Sequence, residues 1–174
     1  RFLRVSDEEI CCTVVFFDCC DKILESNPRY SPMRMLYNAD QPTREMREGL
    51  AHPKASPIPD LTIVFGLITF TIEAKRLALG ESLPKMYVRE GMRRFIQKKY
   101  QSSPGRAGYM IGYVVRNAVS DIIASINNAI VAEPGLSSSD RLKSITHPLP
   151  RLCRCESDHI NDLRLVHNLV DVKS

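Results

Sequence analysis

The sequence predicts an α/β fold in which helices flank a mixed β-sheet, and three observations predict it. Leu61 to Phe65 and Ile68 to Ile72 are short runs rich in β-branched and aromatic residues, joined by Gly66-Leu67. Glycine at the first loop position suits a two-residue type II′ hairpin. Pro84 to Tyr100 then sets Tyr87, Val88, Gly91, Met92, Phe95 and Ile96 on one face and Arg89, Arg93, Gln97 and Lys98 on the other, the pattern of an amphipathic helix. Finally, Ala107 to Val115 is a nearly continuous apolar run of strand length, suited to a core strand covered on both faces, and Asn117 to Val131 returns to helical spacing through Val119, Ile122, Ile123, Ile126 and Ile130.

The remaining elements follow in chain order. Ser6 reads as the N-cap of a first helix with Glu9 at its third position, a capping box, and Ile10 to Leu24 continues it. Cys12, Val15, Phe16, Cys19, Cys20, Ile23 and Leu24 form its expected buried stripe, with Asp18, Asp21 and Glu25 on the polar side. Asn27 to Ile58 holds five prolines and no sustained period, so it reads as a long irregular arm with a short helix near Thr43 to Gly49. Beyond the central elements, Glu133 to Ser139 reads as a linker and Leu163 to Val172 as a final strand. With 174 residues, 44% of them hydrophobic, the chain suits a single domain: a core over about 7–132 and a C-terminal extension over about 133–174.

The hairpin carries the chemistry. Its expected register pairs Phe65 with Ile68, Ile63 with Phe70 and Leu61 with Ile72 on an apolar face. On the other face Val64 meets Thr69, Thr62 meets Thr71 and Asp60 meets Glu73, with Lys75 two residues beyond on the same side. Carboxylates directly opposite one another destabilise a sheet unless a cation lies between them, and oxygen donors of this kind suit Mg²⁺ or Mn²⁺.

Pro59-Asp60 followed by Glu73-Ala74-Lys75 resembles the two signatures of the PD-(D/E)XK phosphodiesterase superfamily, the restriction-endonuclease-like nucleases. The resemblance runs from about Asp7 to Val115. It implies a restriction-endonuclease-like core, a divalent-metal-dependent nuclease, and catalytic roles for Asp60, Glu73 and Lys75. Asp60, Glu73 and the backbone carbonyl of Ala74 are the implied metal ligands, with Lys75 orienting the attacking water or stabilising charge on the phosphate. A further carboxylate is implied on the first helix, in the order of preference Asp21, Glu25, Asp18, with Glu8 and Glu9 near the helix start. Gln97 and Tyr100 resemble, at shorter spacing, a glutamine-tyrosine pair that some members use to steady DNA; read from the residues alone they are a surface and a core side chain.

Charge distribution bears on the partner. The net charge of +4 is modest, but Lys75, Arg76, Lys85, Arg89, Arg93, Arg94, Lys98, Lys99 and Arg106 cluster downstream of the acidic site against only Glu81 and Glu90. Arg93, Arg94 and Lys98 are therefore candidate nucleic-acid contacts, the resemblance adds Gln97, and DNA is expected before RNA. The six cysteines, as Cys11-Cys12, Cys19-Cys20 and Cys153-x-Cys155, suit reduced thiols better than a disulfide framework, and no fourth ligand supports zinc at Cys153, Cys155 and His159. His159 and His167 have no partner arranged as a nucleophilic pair that the sequence reveals. No membrane-length apolar run, signal-peptide pattern or P-loop occurs. The expectation is a cytoplasmic endonuclease of phage defence, restriction or repair, working with a protein partner or as a homodimer. The alternative is a nuclease-fold subunit that has lost cleavage and binds nucleic acid or assembles a complex.

Overall fold

A computed structural model describes residues 9–38, 58–80, 82–100 and 107–173, without the side chain of Cys11. Helix α1 (Glu9–Ser26) is followed by β1 (Met33–Tyr37), β2 (Leu61–Phe65) and β3 (Ile68–Leu77). Leu83–Met86, a π-helical turn Tyr87–Met92 and Arg93–Ile96 then form one continuous helix, α2. The chain continues with β4 (Ala107–Val114), α3 (Val119–Ala132), a 3-10 turn at Ser138–Asp140, β5 (Lys143–Ile145), β6 (Leu152–His159) and β7 (Leu163–Asp171).

The strands form one mixed seven-stranded sheet in the order β1-β2-β3-β4-β7-β6-β5. β1, β2 and β3 are an antiparallel meander, β4 lies parallel to β3 and to β7, and β5, β6 and β7 are antiparallel neighbours. A parallel pair needs a crossover, and α2 supplies it between β3 and β4. One sheet face packs on α1 through Cys12, Met35, Leu61, Ile72, Ala74, Ile111 and Tyr113. The other packs on α2 and α3 through Leu77, Tyr87, Met92, Phe95, Met110, Ile122, Ile126 and Leu169.

The hairpin register is the expected one across all five β2–β3 pairs, from Leu61 opposite Ile72 to Phe65 opposite Ile68. Gly66 has φ +59°, and Leu67 is not among the residues of positive φ, which fits the first and second loop positions of a type II′ turn. The central strand is packed as its glycines suggest: a Cβ on Gly108 would lie 2.5 Å from the Phe95 ring and 2.7 Å from Leu165.

Several expectations are corrected. The irregular arm contains a strand, β1, whose Met35 is buried while Leu36 is exposed; prolines on both sides mask its short alternation. The expected short helix near Thr43 to Gly49 lies outside the described residues. On α1 the buried stripe runs through Cys12, Phe16, Cys20 and Leu24, whereas Cys19 and Ile23 face outward. The helix is apolar on most sides, so periodicity alone did not settle its phase. α2 ends at Ile96 and not at Tyr100, closing at Lys98 with a left-handed φ of +56°. The segment after residue 133 contributes β5, β6 and β7, and β7 sits beside β4 inside the sheet.

Candidate functional site

Where β2 begins at Leu61, β3 runs past it from Glu73 to Leu77 with β4 as its neighbour on one side only. On the vacated side the N–H groups of Ala74 and Arg76 need acceptors. Two carboxylates provide them. Asp60 Oδ2 accepts from the Ala74 N–H at 2.7 Å, and Glu9 Oε2 accepts from the Arg76 N–H at 3.0 Å. Asp60 and Glu9 thus complete the ladder that β2 has left, and this fixes both carboxylates at the splayed end of the hairpin.

The Lys75 ammonium lies where these oxygens converge. It is 3.0 Å from Glu9 Oε1, 3.0 Å from Glu73 Oε1 and 4.0 Å from Asp60 Oδ2, and it donates to the Ala74 carbonyl at 3.0 Å. Burial acts to lower the lysine's pKa, but the charges of Glu73, Glu9 and Asp60 outweigh it and raise the value. Lys75 is therefore a charged ammonium held in a largely dry site.

Glu73 has no solvent exposure. Besides Lys75, Arg94 Nη1 donates to its Oε1 at 2.7 Å and the Tyr100 hydroxyl donates to its Oε2 at 2.6 Å. Arg94 also donates to the Tyr100 oxygen at 2.9 Å, closing a three-membered network. Burial, and then the charge of Glu73, push the Tyr100 hydroxyl well above its ordinary pKa, so it acts as a donor.

In the ion pairs among the described residues, three carboxylates, Glu9, Asp60 and Glu73, share Lys75 and Arg94. The effect shows at Asp60. Burial, followed by repulsion from Glu73, pushes its pKa up to about 6, against the lowering effect of the Ala74 N–H and Lys75.

The structure brings together Asp60, Glu73, Ala74 and Lys75. It does not bring Asp21 or Glu25 to them. Both line a cleft of about 460 Å³ with Arg34 between the far end of α1 and β1, and Asp18 is exposed. Twelve residues of helix separate Glu9 from Asp21, or about 18 Å. The α1 carboxylate at the site is Glu9, because the helix presents its first turn to the open edge of β3. Both Glu9 oxygens bond to β3 residues, and Ser6, the expected N-cap, lies outside the described residues together with Glu8.

The candidate nucleic-acid contacts divide. Arg94 is engaged by Glu73 and Tyr100, and Arg93 is ion-paired with Glu133. Gln97 and Lys98 are exposed. Tyr100, one side chain of the glutamine-tyrosine pair, reaches Glu73 across the sheet-helix interface. Its site role was hidden in the sequence because the helix unwinds at Gln97, which changes where the tyrosine points. The arginine was visible as a basic residue, but nothing local marked Glu73 as its partner.

Among the described residues, no three histidine, cysteine, aspartate or glutamate side chains are grouped so as to hold a metal ion. By donor type alone, carboxylate and carbonyl oxygens suit a hard divalent cation. Asp60 and Glu73 offer carboxylate oxygens, and the Ala74 carbonyl faces the same vacated side as its N–H, since both groups of a strand residue point the same way in an antiparallel ladder. In the present geometry the Lys75 ammonium is the cation among these oxygens. No protein-family model, curated protein or solved structure matches the chain.

Proposed function

We propose that the chain is a divalent-metal-dependent nuclease of the PD-(D/E)XK type that hydrolyses phosphodiester bonds in DNA, in phage defence, restriction or repair. The observation that carries this reading is the meeting of Asp60, Glu73 and Lys75 at the splayed end of one hairpin. The order of elements supports it: a helix bearing a carboxylate, a hairpin bearing both signatures, then a helix and a further strand parallel to the second hairpin strand. A restriction-endonuclease-like core is proposed on the same ground.

Asp60, Glu73 and the Ala74 carbonyl would hold Mg²⁺ or Mn²⁺. When bound, the ion supplies a polarised phosphoryl oxygen and a water of lowered pKa. The protein's own groups do the rest. Asp60 and Glu9, tied to the β3 backbone, keep the strand edge in place, while Arg94 and Tyr100 hold the Glu73 carboxylate in one orientation. Lys75, charged at neutral pH, stabilises negative charge on the reacting phosphate. The exposed Lys85, Arg89, Lys98 and Lys99 on and after α2 would meet the flanking backbone phosphates.

One observation favours the second reading, a nuclease-fold subunit that binds without cutting. Glu73 is wholly buried and both its oxygens are already satisfied by the protein. A cleavage assay on plasmid, linear duplex and single-stranded DNA and on RNA, with Mg²⁺, Mn²⁺ or EDTA and with Asp60→Ala alongside, separates the two. Metal-dependent cutting that the variant lacks is expected; substrate binding without cutting under any metal selects the second reading.

The partner surface has its own test. Reversing Lys98 and Lys99 to glutamate is expected to weaken DNA binding uniformly across sequences and to reduce the salt slope by about 2, since each phosphate that a lysine no longer neutralises keeps its counterion. An unchanged slope removes this end of α2 from the interface.

A further inference from the structure

A second polar cluster lies on the α2 side of the sheet, at the β6–β7 end. Asp140 Oδ1 is 2.6 Å from His159 Nδ1, and His159 Nε2 is 2.8 Å from Ser157 Oγ. Ser157 Oγ is in turn 2.8 Å from His167 Nε2, and His167 Nδ1 is 2.9 Å from the Tyr87 hydroxyl. Ser157, His167 and Tyr87 are fully buried. Asp140, His159 and Ser157 reproduce the atom pairing of a Ser-His-Asp triad. The serine is nonetheless enclosed, and both imidazoles occupy its oxygen, which leaves no face for a substrate.

The donor inventory fixes the direction of the chain. Burial opposes ionisation of Asp140, but hydrogen bonds from Ser137 and His159 outweigh it and hold the pKa below its ordinary value. As a carboxylate it only accepts, so His159 carries its hydrogen on Nδ1 and accepts on Nε2. The Ser157 hydroxyl therefore donates to His159, His167 donates from Nε2 to Ser157, and the Tyr87 hydroxyl donates to His167 Nδ1. With both imidazoles neutral, each link holds one hydrogen. A further proton leaves one hydrogen more than the links can hold, because the other Asp140 oxygen is taken by the Ser137 N–H and hydroxyl.

We propose that this relay is a proton-sensitive anchor that ties α2 to β6 and β7. Tyr87 begins the π-helical turn of α2, and further along the same helix Arg94 reaches Glu73. Proton uptake by either histidine turns the links toward Tyr87 round, so that the Tyr87 oxygen accepts from His167 and the surplus hydrogen is the buried Tyr87 O–H, for which the described residues show no other acceptor. The polar tie at this end of α2 is thereby weakened, while the Arg94–Glu73 and Arg93–Glu133 pairs and the apolar contacts of Met92 and Phe95 remain. This inference does not depend on the nuclease reading.

The charged and titratable groups around the relay agree with it. Asp158, next to His159 on β6 but on the exposed face, acts on it through its charge and is paired with Arg164 of β7 and Lys143 of β5. Cys155 on β6 stands opposite His167 and acts on Tyr87. Burial lowers the pKa of His159 despite Asp140, and burial and then His159 push His167 down to about 3. A histidine of lowered folded pKa contributes stability that is complete above the unfolded value near 6.5 and declines as the pH falls toward the folded one.

Nitrogen-15 NMR of labelled histidine and amide hydrogen exchange, corrected for the intrinsic pH dependence of exchange, test the proposal. At pH 7.5 His159 is expected as the Nδ1–H and His167 as the Nε2–H tautomer. On acidification, protection of α2 between Val88 and Phe95 is expected to fall about fivefold before that of α1 changes, the size of one buried hydrogen bond. Tyr87→Phe, which keeps the ring, is expected to show the reduced protection already at pH 7.5 with no further pH effect. Identical tautomers, titration of both histidines near 6.5, or an unaltered pH response in Tyr87→Phe would overturn it.

Discussion

Replacing Lys75 by methionine is expected to abolish cleavage and also to destabilise the fold by about 3–5 kcal/mol, the cost of breaking a buried ion pair by removing one partner. The Lys75 side chain is only 10% exposed and touches Glu9 and Glu73, so its loss reaches the fold as well as the chemistry. Without the ammonium Glu73 keeps Arg94 and Tyr100, but Glu9 and Asp60 face each other with less compensation. Urea unfolding measures the stability change, and the assay is run where circular dichroism shows the variant folded. Lys75→Arg separates the two roles: it retains the charge and part of the stability, while its longer, planar head does not reproduce the position needed at the phosphate. Full cleavage by folded Lys75→Met would remove the lysine from the chemistry.

Asp60→Asn is expected to do the opposite to stability. Because the folded pKa of Asp60 is raised from 3.8 to about 6, the folded state binds a proton there more readily than the unfolded state does. Its ionisation therefore costs stability as the pH rises through 4 to 6, by up to about 3 kcal/mol above that range. Asparagine keeps an oxygen for the Ala74 N–H and removes the charge. At pH 8 in EDTA the variant should be more stable than wild type by about 1–3 kcal/mol, with the gap closing near pH 4. Mg²⁺ or Mn²⁺ should stabilise the wild type by relieving the same repulsion and leave Asp60→Asn unchanged. Cleavage should be lost in the variant. A wild type whose melting temperature ignores both metals would remove a cation site from Asp60.

The two variants expose what the site is built from. One residue supplies positive charge that the carboxylates need, and the other carries charge that the fold tolerates. Storing uncompensated charge at Asp60 is the kind of local cost found where a ligand is to be bound.

What the sequence determined by itself was local. The β2–β3 register followed from alternation and Gly66-Leu67, because a slip of one residue would turn Leu61, Ile63 and Ile72 away from the core. The inward face of α2 and the apolar β4 followed from period and length, and with them the presence of Asp60, Glu73 and Lys75 at one end of the hairpin. The tertiary structure decided which distant groups meet them. Glu9 in preference to Asp21 or Glu25 depends on how α1 lies across the sheet, and the helix's nearly all-round apolar surface left that angle open. Arg94 and Tyr100 reach Glu73 because the β3–α2–β4 crossover folds α2 back over the strand. The Asp140 to Tyr87 relay likewise joins residues from a 3-10 turn, two strands and a helix. Hydrogen bonds and ion pairs act over about 3 Å whatever the separation along the chain, and no local pattern records such a pairing.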